Sequence, residues 1–155
     1  MERAFYPSLL DLCAQSSINP LLLSQAIEQG QNVNMKDHRG LSPLLLVCMY
    51  TTENPLQAIQ CLLKSGANLY DRDLHGNSAL HIAISSASPL VPALLADPNL
   101  LQSVNDLKQT PLHIAASSSN IPVIVPLIES IPIDSIDARG YTPLVSALSQ
   151  NHGST

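Results

Sequence analysis

Apolar residues in this chain come in short bursts separated by polar, turn-forming stretches, and the bursts are of two kinds. The first kind aligns on one leucine: "RGLSPLLLVC" (39–48), "HGNSALHIAI" (75–84), "LKQTPLHIAA" (107–116) and "RGYTPLVSAL" (139–148). The aligned residues are Leu44, Leu80, Leu112 and Leu144, at spacings of 36, 32 and 32. Each is preceded by a turn signal. Asp37, Asp73, Asn105 and Asp137 stand three residues before Gly40, Gly76, Lys108 and Gly140, and Asp or Asn followed by Gly is turn chemistry. Ser42, Ser78, Thr110 and Thr142 are N-cap residues by type. Pro43, Pro111 and Pro143 then take the first helical position, where a missing N–H costs nothing, and Ala79 replaces the proline once. The small residues Cys48, Ala83, Ala115, Ala116 and Ala147 let neighbouring helices approach closely.

Bursts of the second kind follow: "NPLLLSQAIEQG" (19–30), "NPLQAIQCLLKSG" (54–66), "SPLVPALLADPN" (88–99) and "NIPVIVPLIES" (120–130). Asn or Ser directly before Pro opens three of them, again a cap and first-turn signal. Leu62, Leu63, Leu94 and Leu95 are expected on the inner face, and Gly30 and Gly66 are expected as left-handed C-caps. The predicted unit is helix, short loop, helix, turn, repeated along an all-α chain. Two proline effects are expected. Pro92 falls in the tolerant first turn of its helix, whereas Pro126 removes a backbone bond and kinks its helix. The fourth unit, "LKQTPLHIAASSSNIPVIVPLIES" with "IPID" after it, is therefore expected to be the least stable.

This pattern resembles the ankyrin repeat, with its period of about 33 and its T-P-L-H-x-A signature. The residues that carry the resemblance are "TPLHIAA" (110–116), "SALHIAI" (78–84) and "CLLKSGANL" (61–69), and it covers residues 36–148. Residues 1–35 match only through "AIEQGQNVN" (26–34), with "PSLLDLCA" (7–14) as the first helix of a degenerate N-terminal cap. The resemblance implies one ankyrin-type solenoid of stacked helix-loop-helix units with short turn or hairpin fingers. Its expected divisions are a capping unit at 1–35, repeats at 36–71, 72–103 and 104–135, and a partial unit at 136–155. The second unit gains three residues around "MYTTEN" (49–54), which lengthens its inter-helix loop, and the third and fourth each lose one. The last unit has a first helix and no second, which leaves apolar surface open. Continuation of the chain, irregular capping by the tail and pairing of two copies at that end are the three readings.

In ankyrin arrays the partner protein usually meets the turn tips and the inner face of the first helices. Mapped here, the tips are Lys36, His38, Arg39, Leu41, Arg72, Leu74, His75, Asn77, Leu107, Gln109, Arg139 and Tyr141. Met49, Ser85 and Ser117 face the same concavity. Leu41, Leu74, Leu107 and Tyr141 are the apolar anchors this predicts. The resemblance also implies that His81 and His113 tie the turns by hydrogen bonds rather than serve as bases.

Charge sharpens this picture. Charged residues are only 12% of the chain and the net charge is −5, which argues against a duplex-DNA binder. Trp is absent and aromatics are scarce, so stacking platforms for single strands are missing too. Five of the seven Lys and Arg residues, Lys36, Arg39, Arg72, Lys108 and Arg139, lie in or beside the turns. In a stack they form a row that would favour an acidic partner, unless Asp37, Asp71, Asp73, Asp106 and Asp137 in the same segments balance it.

No glycine-rich phosphate loop, G-x-S-x-G or H-E-x-x-H occurs, so no catalysis, cofactor or metal is expected. Cys13, Cys48 and Cys61, an odd and small count, fit a reducing compartment. Cys13 and Cys48 read as buried core thiols, since stacked helices hold equivalent slots too far apart for a disulfide. The N-terminus lacks a basic start with an apolar run, and the longest apolar run, Leu44–Tyr50, is too short for a bilayer. These features predict a soluble protein of the cytoplasm or nucleus that binds another protein and neither nucleic acid nor membrane. The alternatives carried forward are a recruiting module of a larger protein, such as an effector delivered into a host cell, and a structural protein that self-associates through its C-terminal end.

Overall fold

A computed structural model of the chain describes residues 7–151. The opening of the N-terminal unit and the tail "HGST", whose capping role is one of the three readings of that end, fall outside them. Among the described residues there are ten helices and no strand: α1 (Leu9–Cys13), α2 (Pro20–Glu28), α3 (Pro43–Tyr50), α4 (Pro55–Lys64), α5 (Ala79–Ser85), α6 (Val91–Leu94), α7 (Pro98–Leu101), α8 (Pro111–Ser117), α9 (Ile121–Ser130) and α10 (Pro143–Asn151).

The expected caps start the first helices. The hydroxyls of Ser42, Ser78, Thr110 and Thr142 accept from the backbone N–H three residues on, at 3.3–3.4 Å. Each such cap contributes about 1 kcal/mol. Gly30 and Gly66 close α2 and α4 with positive φ and paired bonds back to the last turn, Gly30 N to Ile27 O with Gln31 N to Ala26 O, and Gly66 N to Leu63 O with Ala67 N to Leu62 O. Ala87 and Ser119 make the same closure after α5 and α8, so two residues with a Cβ sit in the left-handed region.

Packing runs in single file. α1 lies against α3, α3 against α5, α5 against α8 and α8 against α10, while α2 and α4 form a second layer behind. The file explains why Leu44, Leu45, Leu46, Val47 and Cys48 of α3 are all buried: that helix has a neighbour on each side and α4 at its back. Cys13 and Cys48 are buried and free, and burial pushes both thiols up to about 12, so neither is a thiolate near neutral pH.

Three expectations in the second layer need correction. The helix expected across 88–99 is broken in two. Pro92 does occupy the first turn of α6, but Asp97 then accepts from Asn99 N and Leu100 N and restarts the chain as α7 at Pro98. The residue before a proline disfavours the helical region, so the break falls there. Asn54 does not cap α4. It sits at φ 51 with no side-chain cap bond, and Ser88 bonds Leu90 N in a local turn while α6 begins three residues later. Leu62 and Leu94 are buried as expected, but Leu63 is exposed and Leu95 only half-buried.

The lengthened loop of the second unit has a use. Thr51 Oγ1 donates to Gln15 O at 2.9 Å, and Thr52 N and Glu53 N both donate to Ser16 O. The extra residues satisfy their own backbone on the loop of the first unit and tie the two units together. α9 holds little of its apolar surface inside. Pro126 lies inside it, Leu127 is its one fully buried side chain, and Ile121, Val125 and Ile128 are exposed.

The glycines of the turns report how closely the units stack. A Cβ on Gly40 would lie 2.8 Å from Leu74 N, and one on Gly76 would lie 2.9 Å from Asp106 N, whereas one on Gly140 meets nothing within 4 Å. All three have φ between 74 and 79. Gly140→Ala should therefore cost only the left-handed penalty of about 1 kcal/mol, and Gly76→Ala about 2 kcal/mol or more. Lys108, at φ 58 in the same slot, should gain about 0.5–1 kcal/mol as Lys108→Gly. Urea denaturation of the three variants checks this, and equal losses at Gly76 and Gly140 would refute close stacking of the turns.

Candidate functional site

Each finger is built around one side chain. Asp37 Oδ1 accepts from Arg39 N and Leu41 N, both at 2.9 Å, while Asp37 N donates to Leu41 O and Gly40 N to Asp37 O. Asp73, Asn105 and Asp137 repeat the pattern with the N–H groups two and four residues on. The fingers are thus closed turns held from inside. Adjacent fingers are then joined by one backbone bond each: Leu74 N to Arg39 O at 3.3 Å, Asp106 N to His75 O at 3.0 Å, and Ala138 N to Leu107 O at 2.7 Å.

His81 and His113 rivet the later joints. In each, Nδ1 takes the backbone N–H of the cap residue, Ser78 at 3.3 Å or Thr110 at 3.1 Å. Nε2 lies 2.8 Å from a carbonyl of the next finger, Gln109 O or Tyr141 O. A ring nitrogen facing a carbonyl must donate and one facing an N–H must accept, so both imidazoles are neutral with the proton on Nε2. Burial pushes His81 down to about 4, against the pull of its bond to Gln109. Leu45 and Val145 hold this slot in the second and last units.

The slots sort the expected contact residues. Leu41, Asn77, Gln109 and Tyr141 are one position, four residues after the finger Asp or Asn, and they turn inward. Leu41 is 1% exposed and Asn77, Gln109 and Tyr141 are half-buried. Leu41 is therefore corrected from a tip anchor to a core residue: its N–H and C=O close the turn and carry its side chain under the finger. Leu74 and Leu107 do stand out, 67% and 51% exposed, as do His38 and His75. Met49 is half-buried and Ser85 exposed on the concave side. Ser117 is half-buried and spends its hydroxyl on His113 O and Ile114 O.

The basic row is largely internal. Lys36 Nζ lies 2.7 Å from Asp71 and 2.9 Å from Arg72 O. Arg39 holds Asp37 and Tyr50 Oη, and Arg139 holds Asp137 and lies 4.6 Å over the Tyr141 ring. The Arg72 guanidinium donates to Gly76 O and to Val104 O. Lys108 alone of the five has no partner among the described residues. Burial opposes the charge on Asp37 and Asp137, yet the backbone N–H groups and the arginine beside each hold the carboxyls below their ordinary range. The balancing role foreseen for the turn carboxylates is the one these pairs show.

Between the fingers and the first helices runs a trough. One hollow of about 280 Å³ is lined by His38, Arg39, Leu41, Met49, Leu74 and His75, with Asp73. A second, of about 140 Å³, shares Met49 and Asp73 and continues over Asn77, Ile82, Ser85 and Ile114. Ile82 and Ile114 escaped the sequence reading, although each lies three residues before Ser85 or Ser117 and so on the same helix face. Tyr50, the stacking partner of Arg39 at 5.7 Å, was missed as well. A separate apolar groove of about 430 Å³ opens between α9 and α10, lined by Leu112, Ile124, Ile128, Ile133 and Leu144 among others. Among the described residues no group of three or more His, Cys, Asp or Glu could hold a metal, and no helix is long and apolar enough to cross a membrane.

A stacked file of capped helix pairs with hydrogen-bonded fingers is the architecture of ankyrin repeats. The family model described as ankyrin repeats (3 copies) matches residues 10–102 and 86–155, and the chain belongs to the ankyrin repeat family. Ankyrin repeats are generally non-catalytic modules of protein–protein interaction. Among curated proteins the chain is similar to mouse Rabankyrin-5, 31% identical over 65% of this chain and 9% of that protein. It is also similar to the intracellular phospholipase A2 of Caenorhabditis elegans, 32% identical over 68% of this chain and 10% of that protein. An I-Kappa-B like protein C1 of Microplitis demolitor bracovirus is 32% identical over 56% of this chain and 51% of its own length. The chain spans about a tenth of the length of the first two.

The neutral His81 makes stability depend on acid. Unfolded, this imidazole binds a proton near 6.5; folded, it resists until about 4. Its contribution is therefore complete above the unfolded value and shrinks as pH falls from about 6.5 towards 4, by about 3 kcal/mol in all. Urea unfolding at pH 7 and pH 5 should show about 2 kcal/mol of this loss, above the range where carboxylates dominate. His81→Gln should lose less between the two pH values than the parent; an unchanged pH dependence would contradict the buried neutral imidazole.

Proposed function

We propose that this chain binds a partner protein along its finger tips and the concave faces of its first helices, and that it performs no chemistry of its own. The observation that carries this reading is the pair of exposed leucines, Leu74 and Leu107, on adjacent fingers joined through the backbone bond of Asp106 N to His75 O. Exposed apolar side chains are ordinary singly, but two held at fixed separation beside a trough make a preorganised surface, and preorganisation lowers the ordering cost of docking. Met49, Asn77, Ser85, Gln109, Ser117 and Tyr141 would contribute from the trough, and Lys36, His38, Arg39, Arg72, His75 and Arg139 from its rim. The unit divisions at 36–71, 72–103 and 104–135 belong to the same proposal, since they define the bodies that carry one finger each. So does a place of action inside a cell, whether cytoplasm, nucleus or a host cell reached as an effector.

The short share of its relatives that the chain covers favours a second reading, in which these repeats recruit a target for a larger protein. Both readings use the same surface. The α9–α10 groove is the surface on which a further element or a second copy would pack.

Affinity capture with the wild-type chain, the Leu74→Ala/Leu107→Ala variant and a Leu56→Ala control on the outer layer tests the reading. The double variant should lose at least tenfold of the specifically retained protein, with Leu56→Ala unchanged and all three unfolding at similar temperatures. Equal capture by the double variant and the wild type would remove the finger surface from the account.

A further inference from the structure

The open side of α10 carries positions that earlier units keep covered. α10 stands to α9 as α3 stands to α2, and α4 fills the angle between that earlier pair. In the last unit the same angle is the apolar groove of about 430 Å³. Leu144 on its wall is 69% exposed, whereas its counterparts Leu44, Leu80 and Leu112 are buried. Leu148, one turn on, is exposed where Cys48 and Ile84 are buried. The second helices show what such an angle takes. Each presents inward an apolar pair three residues apart: Leu23 with Ala26, Ile59 with Leu62, and Val91 with Leu94. Asp134 is the one charged residue of the groove's lining. It is exposed and has no ion-pair or hydrogen-bond partner among the described residues.

We propose that the α9–α10 groove receives an amphipathic helix of a partner protein, one that buries an aliphatic pair three residues apart against Ile124, Ile128 and Leu144 and brings a lysine or arginine to Asp134. The groove shares no lining residue with the finger surface, so the inference stands apart from that reading. Its warrant is the molecule's own packing, in which α4, ten residues long, buries Ala58, Ile59 and Leu62 in the equivalent place. A helix laid in an apolar groove from another molecule uses the same stripe. Charge decides between a partner and a second copy. Of the seven Lys and Arg residues only Lys64 lies in a described helix, and the exposed leucines of that helix, Leu56 and Leu63, are seven positions apart. No described helix of this chain therefore offers an exposed aliphatic pair three or four apart together with a cation. Two copies pairing groove to groove would set one uncompensated Asp134 against another.

The probe is a hydrocarbon-stapled peptide copying residues 54–66 with Cys61→Ser, since an unconstrained helix of this length is marginal in water. Its binding to the whole chain is read by fluorescence anisotropy. It should bind saturably, and the same peptide with Ile59→Asp and Leu62→Asp should not. In the chain, Leu144→Asp and Ile128→Asp, both at exposed positions, should each weaken binding at least tenfold while the unfolding temperature holds. Leu74→Ala/Leu107→Ala should stay within twofold of wild type. Lys64→Glu in the peptide should lose at least threefold on the wild-type chain and regain it on Asp134→Lys. Binding that is indifferent to Leu144 and Ile128, or to the Ile59 and Leu62 pair of the peptide, overturns the groove and leaves the finger surface standing. A charge exchange without rescue overturns the basic partner. A chain that sediments alone as a dimer, and as a monomer after Leu144→Asp, assigns the groove to a second copy and likewise overturns the proposal.

Discussion

One oxygen per unit organises this molecule. In every finger a single Asp or Asn side-chain oxygen accepts two backbone N–H groups, two and four residues further on. That bond pair bends the chain into a closed turn and delivers the next residue as the helix cap. Because the turn is closed from within, its outer edge keeps one carbonyl and one N–H free to meet the neighbouring finger. The helix stack, the finger row and the trough all follow from where that turn sends the chain. Asn105 does the work of the aspartates with an amide oxygen, so the requirement is for an acceptor of this length and not for a charge.

Legibility tracked locality. The caps at Ser42, Ser78, Thr110 and Thr142, the prolines behind them and the left-handed glycines were readable because each depends on neighbours a few residues away. The broken third unit was not: Pro92 read as tolerable, but the restart at Asp97 needed the competition between α6 and the Asp97–Pro98 turn to be weighed. Leu41 misled for a related reason. In sequence it looks like Leu74 and Leu107, and only its position four residues after Asp37, where the turn closes, sends it inward. Ile82 and Ile114 were missed because a trough is a property of neighbouring units, and a period of 32 says nothing of depth.

The bases illustrate the same limit. Seen in sequence, five cations at successive turns suggest an electropositive edge. In the fold, four of them find anions, carbonyls or a ring within the array, and exposed pairs of this kind add little to stability. Their effect is to fix side chains. Arg39 is pinned between Asp37 and Tyr50, so the rim of the trough is shaped before anything binds there.

The imidazole rivets are unevenly distributed, and the distribution matters. His81 and His113, themselves buried, pin the two later joints through bonds between neutral groups. At the joint between α3 and α5 the slot holds Leu45, and the units are tied instead by Asn34 with Gly66 O and Asn68 N and by the Lys36–Asp71 pair, which lies partly in solvent. A Debye length of about 8 Å at physiological ionic strength screens such a pair but not a buried one. Ionic strength thus reaches the Lys36–Asp71 pair between the first two fingers and leaves the imidazole bonds of the later joints untouched.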